Sequence, residues 1–160
     1  MSVSSMERQF IGALMHSTAA EVLKISRFID ERDFCDRRLS AVYCIIVKEA
    51  KYPRDPDPVV VLENLQSNLG PKRARDMGNE IFEMYSQVPT RFHLHISALG
   101  VLKNSARCAF EDFKQLADMA QESSFPELNM CLTELNNRIE YINRRIGGLE
   151  QRMSERRLPA

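Results

Sequence analysis

Apolar residues recur at helical spacing along almost the whole chain. In the first half this spacing predicts five helices, at residues 7–16, 18–29, 37–52, 58–69 and 71–87. Thr18 and the pair Asp57–Pro58 stand where helix N-caps are expected. Val59–Val61 also has strand character, but no other segment would pair with it, and a lone strand is not viable. The first half is therefore predicted to be entirely helical.

The second half contains longer continuous amphipathic segments. Residues 92–121 read as one long helix, residues 122–126 as a turn, and the following residues as a second long helix. On that last helix, the spacing between apolar residues alternates between four and three, as in a heptad repeat. The heptad stripe consists of Leu128, Leu132, Leu135, Ile139, Ile142, Ile146, Leu149 and Met153. Two long helices joined by a short turn predict an αα-hairpin.

The first hairpin helix is predicted to cover only part of the heptad stripe. Its own inward face carries small residues at Ala106, Ala109, Ala117 and Ala120, which fill little volume. Each Leu or Ile side chain gains roughly 1.5–3 kcal/mol from full burial, so the uncovered ones favour self-association or a partner protein. The predicted interface consists of Leu128, Leu132, Leu135, Ile139, Ile142, Ile146 and Leu149. Gly147–Gly148 is expected to fray or bend the helix, so pairing should centre before it.

These patterns together predict an all-α protein with two parts. Residues 1–90 form a compact helical domain of about five helices. Residues 91–160 form a long αα-hairpin, for oligomerisation or docking, with a basic tail. The chain is expected to be a cytoplasmic protein, because it has neither a signal-peptide pattern nor an apolar run long enough to span a membrane.

Catalytic chemistry is not indicated by any motif. The six glycines form no phosphate-binding loop, and the three histidines are not spaced as metal ligands, which predicts a non-enzymatic protein without a cofactor or metal. Asp30, Glu31 and Asp33 precede a helix and are interpreted as capping residues. The four cysteines form no C-x-x-C pair, and they are expected to be free thiols, with Cys44 and Cys108 buried.

Charge gives little support for nucleic-acid binding. Lys+Arg and Asp+Glu both number 22, so the net charge is zero and DNA binding is expected to be weak or indirect. The tail nevertheless carries arginines that could contact phosphates, namely Arg144, Arg145 and Arg152. The alternative interpretation is a solvated helix face, since glutamates lie among them. Lys72, Arg73 and Arg75 form a second basic cluster with the same two interpretations.

The order of several short motifs resembles the N-terminal domain of the bacterial replicative helicase, the DnaB family, over roughly residues 5–120. The family's early helix motif is matched by Glu7, Phe10, Ile11, Gly12 and Leu14. Its later motifs are matched by Asp33–Phe34, Val42–Tyr43, residues 57–62 and the proline before the long helix, Pro89. Leu39 stands where the family's central helix often has a histidine.

The resemblance implies a docking and oligomerisation module of DNA replication. In the family, such domains pair through their hairpins, form a collar on the helicase ring and dock primase. The expected partners are therefore a second copy, in a dimer or higher oligomer, and a replicative helicase, primase or helicase loader. No ATPase domain is present up to Ala160, so either a helicase fragment or a free-standing modulator is expected. A helical nucleic-acid-binding regulator and an unrelated coiled-coil structural protein are the alternatives.

Overall fold

The computed structural model describes residues 3–88 and 94–155, and within these ranges the predicted all-α fold is confirmed. The described residues form seven α-helices: α1 (Val3–Met15), α2 (Ala19–Ile25), α3 (Arg37–Ala50), α4 (Pro58–Leu69), α5 (Pro71–Gln87), α6 (Leu94–Asp118) and α7 (Phe125–Glu155). The described residues also contain two 3-10 turns, at Glu31–Asp33 and Met119–Gln121. Of the residues named above, Pro89 and Ala160 lie outside the described residues, and the side chain of Arg73 is not described either.

The predicted N-caps of α2 and α4 are confirmed. Thr18 accepts a hydrogen bond from the Glu21 amide, and the Glu21 carboxylate accepts one from the Thr18 amide, which closes a capping box. Asp57 accepts from the amides of Val59 and Val60 at 2.8 and 3.0 Å. These bonds satisfy amides that have no partner within the helix.

Helix α2 ends earlier than the apolar pattern predicts. The pattern extends to Ile29, whereas α2 ends at Ile25. Ile29 is nevertheless buried, and Phe28 packs against the core from the turn that follows α2. Burial alone therefore accounts for these apolar residues, and a helical backbone is not required.

Aromatic side chains hold the centre of the core. The ring centroids of Phe10 and Phe34 are 6.2 Å apart, and those of Phe34 and Tyr43 are 5.1 Å apart. Phe10 is fully buried, and it belongs to α1, which packs against α3, α5 and α6. Such tilted aromatic pairs add to the stabilisation gained by burial alone.

Two of the motif residues on α1 have structural roles. A Cβ atom at Gly12 would lie 2.4 Å from the Met84 carbonyl oxygen, so only glycine allows α1 to approach α5 this closely. Glu7 is completely buried, and its carboxylate accepts hydrogen bonds from the amides of Cys35 and Asp36 at 2.7 and 3.2 Å. Glu7 thereby fixes the segment that leads into α3.

Helices α6 and α7 form the predicted antiparallel hairpin. Two ion pairs join them, Lys103 to Glu150 at 3.3 Å and Arg138 to Asp112 at 2.7 Å. The partner position on α7 falls as the position on α6 rises, as an antiparallel register requires.

The expected fraying at Gly147–Gly148 is wrong. Helix α7 continues through both glycines to Glu155. A Cβ atom at Gly148 would lie 3.1 Å from the Phe28 ring. The small residue therefore lets α7 approach this ring closely, and packing offsets the lower helix propensity of glycine.

The expectation that Cys44 and Cys108 are buried is also wrong. Cys35 is exposed, whereas Cys44, Cys108 and Cys131 are partly exposed; all four are free thiols. Cys44 donates a hydrogen bond to the Glu31 carboxylate at 3.1 Å. Burial and this carboxylate raise the pKa of Cys44 to about 11.

Across the described parts of the chain, no helix is both long and apolar enough to cross a bilayer.

Candidate docking surface on the helical hairpin

The hairpin is anchored at one end and projects at the other. Buried residues of α6 end at Ala109, and those of α7 begin at Ile142. Between residues 110 and 141, all of which the structure describes, no side chain is buried. In this segment the two helices and their turn are therefore covered only by each other.

A groove opens between the two helices at this projecting end. It has a volume of about 290 Å³. Its lining is apolar apart from Asn129 and consists of Phe113, Leu116, Ala117, Ala120, Phe125, Leu128, Asn129 and Leu132. We call these eight residues the tip groove. Ala117 of α6 and Ala120 of the following 3-10 turn leave the hollow, and the larger residues of α7 stand beside it, as expected from the small inward face of the first hairpin helix.

Several apolar side chains at this end face water. Phe125 is 80% exposed, Phe110 is 60% exposed and Met130 is 59% exposed. Phe110 stacks on Phe113, with ring centroids 6.4 Å apart. Isolated exposed apolar residues are ordinary, but a cluster around an apolar groove is typical of an interaction site.

The turn between the helices places Phe125 at the groove. The Ser124 hydroxyl donates to the Glu127 carboxylate at 2.7 Å, and the Ser124 amide donates to it at 3.0 Å. These hydrogen bonds hold the pKa of Glu127 below its usual value. They fix the start of α7, so Phe125 is its first residue.

The residues of the predicted interface divide between the projecting end and the anchored end. Leu132 is 40% exposed, and Leu128, Leu135 and Ile139 are partly exposed. In contrast, Ile142 and Leu149 are buried within the chain, and Ile146 packs against the core. The surface available to a second molecule is thus the part of the stripe from Leu128 to Ile139.

A buried ion pair holds the anchored end of α7. Arg145 donates to both carboxylate oxygens of Asp33, at 2.5 and 2.9 Å, and its guanidinium also donates to the Phe28 carbonyl at 3.2 Å. The Asp33 carboxylate also accepts from the Ser105 hydroxyl and from the Asp30 amide. We call the Asp33–Arg145 pair the hairpin anchor. Its guanidinium is engaged inside the chain, which does not fit the predicted phosphate contact for Arg145.

The anchor also explains the acidic cluster before α3. Asp30 caps the 3-10 turn Glu31–Asp33, as expected for a capping residue. Asp33 has a second role that was missed, because its cationic partner lies 112 positions later in the chain. Burial, followed by the charge of Asp33, raises the pKa of Tyr43, whose hydroxyl donates to the Ile29 carbonyl at 2.8 Å.

The other two arginines predicted to contact phosphates, Arg144 and Arg152, lie in different surroundings. Arg144 is exposed, and the Arg152 guanidinium lies over the Phe28 ring, 5.0 Å from its centroid. Lys72 and Arg75 are exposed on α5. Phosphate binding by Arg144 and Arg152 stays a prediction.

Metal-binding chemistry gains no support from the described residues. Within residues 3–88 and 94–155, no group of three or more histidine, cysteine or acidic side chains is placed to hold a metal ion. His16 stacks on Tyr85, with ring centroids 4.0 Å apart, and its Nε2 atom lies 2.8 Å from the Tyr85 carbonyl oxygen. His16, which directly follows α1, therefore has a structural role in packing against α5.

Comparison with known families identifies most of the chain. The family model described as the DnaB-like helicase N-terminal domain matches residues 2–98. A search of curated proteins finds no match. The matched range contains Glu7, Gly12 and Asp33 and ends near the start of α6. The tip groove lies beyond the matched residues, so its role must be argued from its own geometry.

Proposed function

The chain belongs to the family of DnaB-like helicase N-terminal domains, and from this premise we propose that it pairs with a second copy through the tip groove. The family is the non-catalytic part of the helicase and is associated with oligomerisation and contacts within the helicase complex. On this proposal, the chain is an interaction module of DNA replication and has no enzymatic activity of its own.

The observation that carries the proposal is the apolar groove at the projecting end of the hairpin. A pairing with two-fold symmetry needs one surface that contains both a hollow and a projecting group. The tip groove has both, since Ala117 and Ala120 leave a hollow and Phe125 projects beside it at 80% exposure. Aromatic residues of this kind are frequent hot spots of binding.

The hairpin anchor supports the same proposal. Because Asp33 and Arg145 fix the other end of α7 to the 3-10 turn before α3, the tip groove is held away from the chain's own core. A groove on a fixed helix pair loses little conformational freedom when it binds, which favours association.

We extend the proposal to larger partners on the basis of the family alone. A replicative helicase, a primase or a helicase loader would dock on the paired hairpins. The paired state would be a dimer or the repeating unit of a larger ring.

The test is the variant Leu132→Asp, which places a charge in the tip groove at a residue that is already 40% exposed. A charge at a dry contact is strongly disfavoured. In sedimentation equilibrium at micromolar concentrations, we expect the dissociation constant of the variant to be at least about tenfold larger than that of the unmutated protein, equivalent to about 1.4 kcal/mol. The matched control is Asn136→Asp, which adds the same charge to an exposed position of α7 outside the stripe and leaves association unchanged.

Two outcomes would overturn the pairing. The first is an unmutated protein that remains monomeric at high micromolar concentration. The second is an equal loss of association in Asn136→Asp and Leu132→Asp. Far-UV circular dichroism must remain helical in both variants. Ile142 is not suitable for this experiment, because it is only 1% exposed and its substitution would damage the chain's own packing.

A further inference from the structure

Two cysteines distant in sequence meet beside the hairpin anchor. The sulfur atoms of Cys35 and Cys108 are 2.7 Å apart, although the residues are separated by 73 positions. Cys35 lies between the 3-10 turn Glu31–Asp33 and α3, and Cys108 lies on α6. Cys35 is exposed, so small molecules in solution can reach its sulfur.

The backbone on both sides of the pair is held in place. The buried carboxylate of Glu7 accepts a hydrogen bond from the Cys35 amide at 2.7 Å. The Ser105 hydroxyl, about one helical turn before Cys108, donates to Asp33 at 3.1 Å. The closeness of the two sulfurs therefore follows from fixed packing of α6 against the 3-10 turn. A disulfide bond of about 2.05 Å requires the sulfurs to approach by only about 0.6 Å more.

We propose that Cys35 and Cys108 are a redox-sensitive pair that forms a reversible disulfide between the entry to α3 and the hairpin helix α6. The oxidant is a small-molecule disulfide such as oxidised glutathione. The Cys35 thiolate attacks one oxidant sulfur and releases one reduced thiol. The Cys108 sulfur then attacks the Cys35 sulfur of the mixed disulfide and releases the second.

This reaction conserves atoms, electrons and protons. The disulfide bond of the oxidant and the two S–H bonds of the cysteines break. One S–S bond forms between Cys35 and Cys108, and two S–H bonds form on the released thiols. The two electrons and two protons lost by the protein are carried by the two molecules of reduced thiol.

The surroundings of Cys35 determine how its reaction depends on pH. Partial loss of hydration around its sulfur, together with the neighbouring Cys108 and the Glu7 carboxylate, raises the pKa of Cys35 to about 12. The thiolate is the reacting form, and because of this raised pKa little thiolate is present near neutral pH. The first exchange step should therefore be slow at pH 7. As the pH is raised towards that pKa, its rate should increase about tenfold per pH unit.

The experiment uses the full chain with Cys44→Ser and Cys131→Ser, which leaves only the proposed pair. The protein is incubated at alkaline pH with defined ratios of reduced and oxidised glutathione until the product ratio no longer changes; it is then quenched with acid, unfolded and alkylated, and its intact mass is measured. We expect an intramolecular disulfide without bound glutathione, and a Tm that is higher by about 5–10 °C than that of the reduced form.

The variants Cys35→Ser and Cys108→Ser, each in the same background, complete the test. Cys108→Ser should stop at the mixed disulfide on Cys35, because the second thiol is missing. The proposal fails if the two-cysteine protein retains both thiols in the most oxidising mixture, or if it accumulates the mixed disulfide as Cys108→Ser does. It also fails if the disulfide forms only between two molecules, which a non-reducing gel would show. Circular dichroism confirms that each variant is folded before it is scored.

Discussion

Removal of the Arg145 guanidinium should destabilise the protein strongly. The variant Arg145→Met keeps a long side chain in place but leaves the Asp33 carboxylate without its cation. The side chains of Arg145 and Asp33 are 10% and 3% exposed, so water cannot replace the lost contacts. Among the described residues, the Ser105 hydroxyl and the Asp30 amide would remain as donors to Asp33.

The loss of unfolding free energy in Arg145→Met follows from the contacts that the guanidinium makes. Loss of one partner from a buried ion pair costs about 3–5 kcal/mol. The guanidinium also lies 4.1 Å from the centroid of the Tyr141 ring, a contact that adds about 0.5–1 kcal/mol. The two losses together amount to about 3.5–6 kcal/mol, so with a urea m-value of about 2 kcal/mol/M the unfolding midpoint should fall by about 1.8–3 M.

The assay is urea unfolding followed by far-UV circular dichroism, with Arg144→Met as the matched control. Arg144 is the adjacent residue and is exposed, so the same substitution there should change the free energy of unfolding by less than about 0.5 kcal/mol. In the double variant Asp33→Asn, Arg145→Met, stability should recover relative to Arg145→Met, because no unpaired charge remains buried. If Arg145→Met and Arg144→Met unfold within about 1 kcal/mol of each other, the buried anchor is refuted.

Two further predictions concern the contact between α1 and α5 and the expected absence of catalysis. Gly12→Ala should lower the free energy of unfolding by about 1–3 kcal/mol in the same urea assay, because the new Cβ atom would meet the Met84 carbonyl at 2.4 Å. Gly147→Ala is its matched control, since a Cβ atom there meets nothing within 4 Å, and equal effects at the two positions would contradict the close approach of α1 and α5. The purified chain should hydrolyse no ATP above background, because its sequence has no phosphate-binding loop; turnover that copurifies with the protein through several columns would disprove this.

Local patterns in the sequence predict most of the helices. Thr18 and the Asp57–Pro58 pair mark the starts of α2 and α4 because capping depends on residues only three or four positions apart. The five helices of the first half and the hairpin of the second follow from apolar spacing, and both are confirmed. The family resemblance, which rests on Glu7, Gly12 and Asp33–Phe34, is also confirmed. The division into two domains and the residues of the interface stay predictions.

Contacts between distant segments account for what the sequence did not reveal. Asp33 and Arg145 each have an ordinary local interpretation, as a cap and as a solvated arginine, and only the fold brings them together. Cys35 and Cys108 likewise form no recognisable motif. Gly148 reads as a weak point of α7 until Phe28 is placed beside it. Periodicity describes one helix at a time, whereas these roles depend on a second element.

The hairpin anchor also determines how the heptad stripe is used. A continuous stripe predicts a uniform partner along the helix, as in a coiled coil. Here Ile142 and Leu149 are covered by the chain's own helices, because Arg145 lies between them and is drawn to Asp33. The stripe from Leu128 to Ile139 receives no such cover, and the small residues Ala117 of α6 and Ala120 of the following 3-10 turn lie beside its first part. One regular pattern thus serves two purposes, folding at one end and, on our proposal, association at the other.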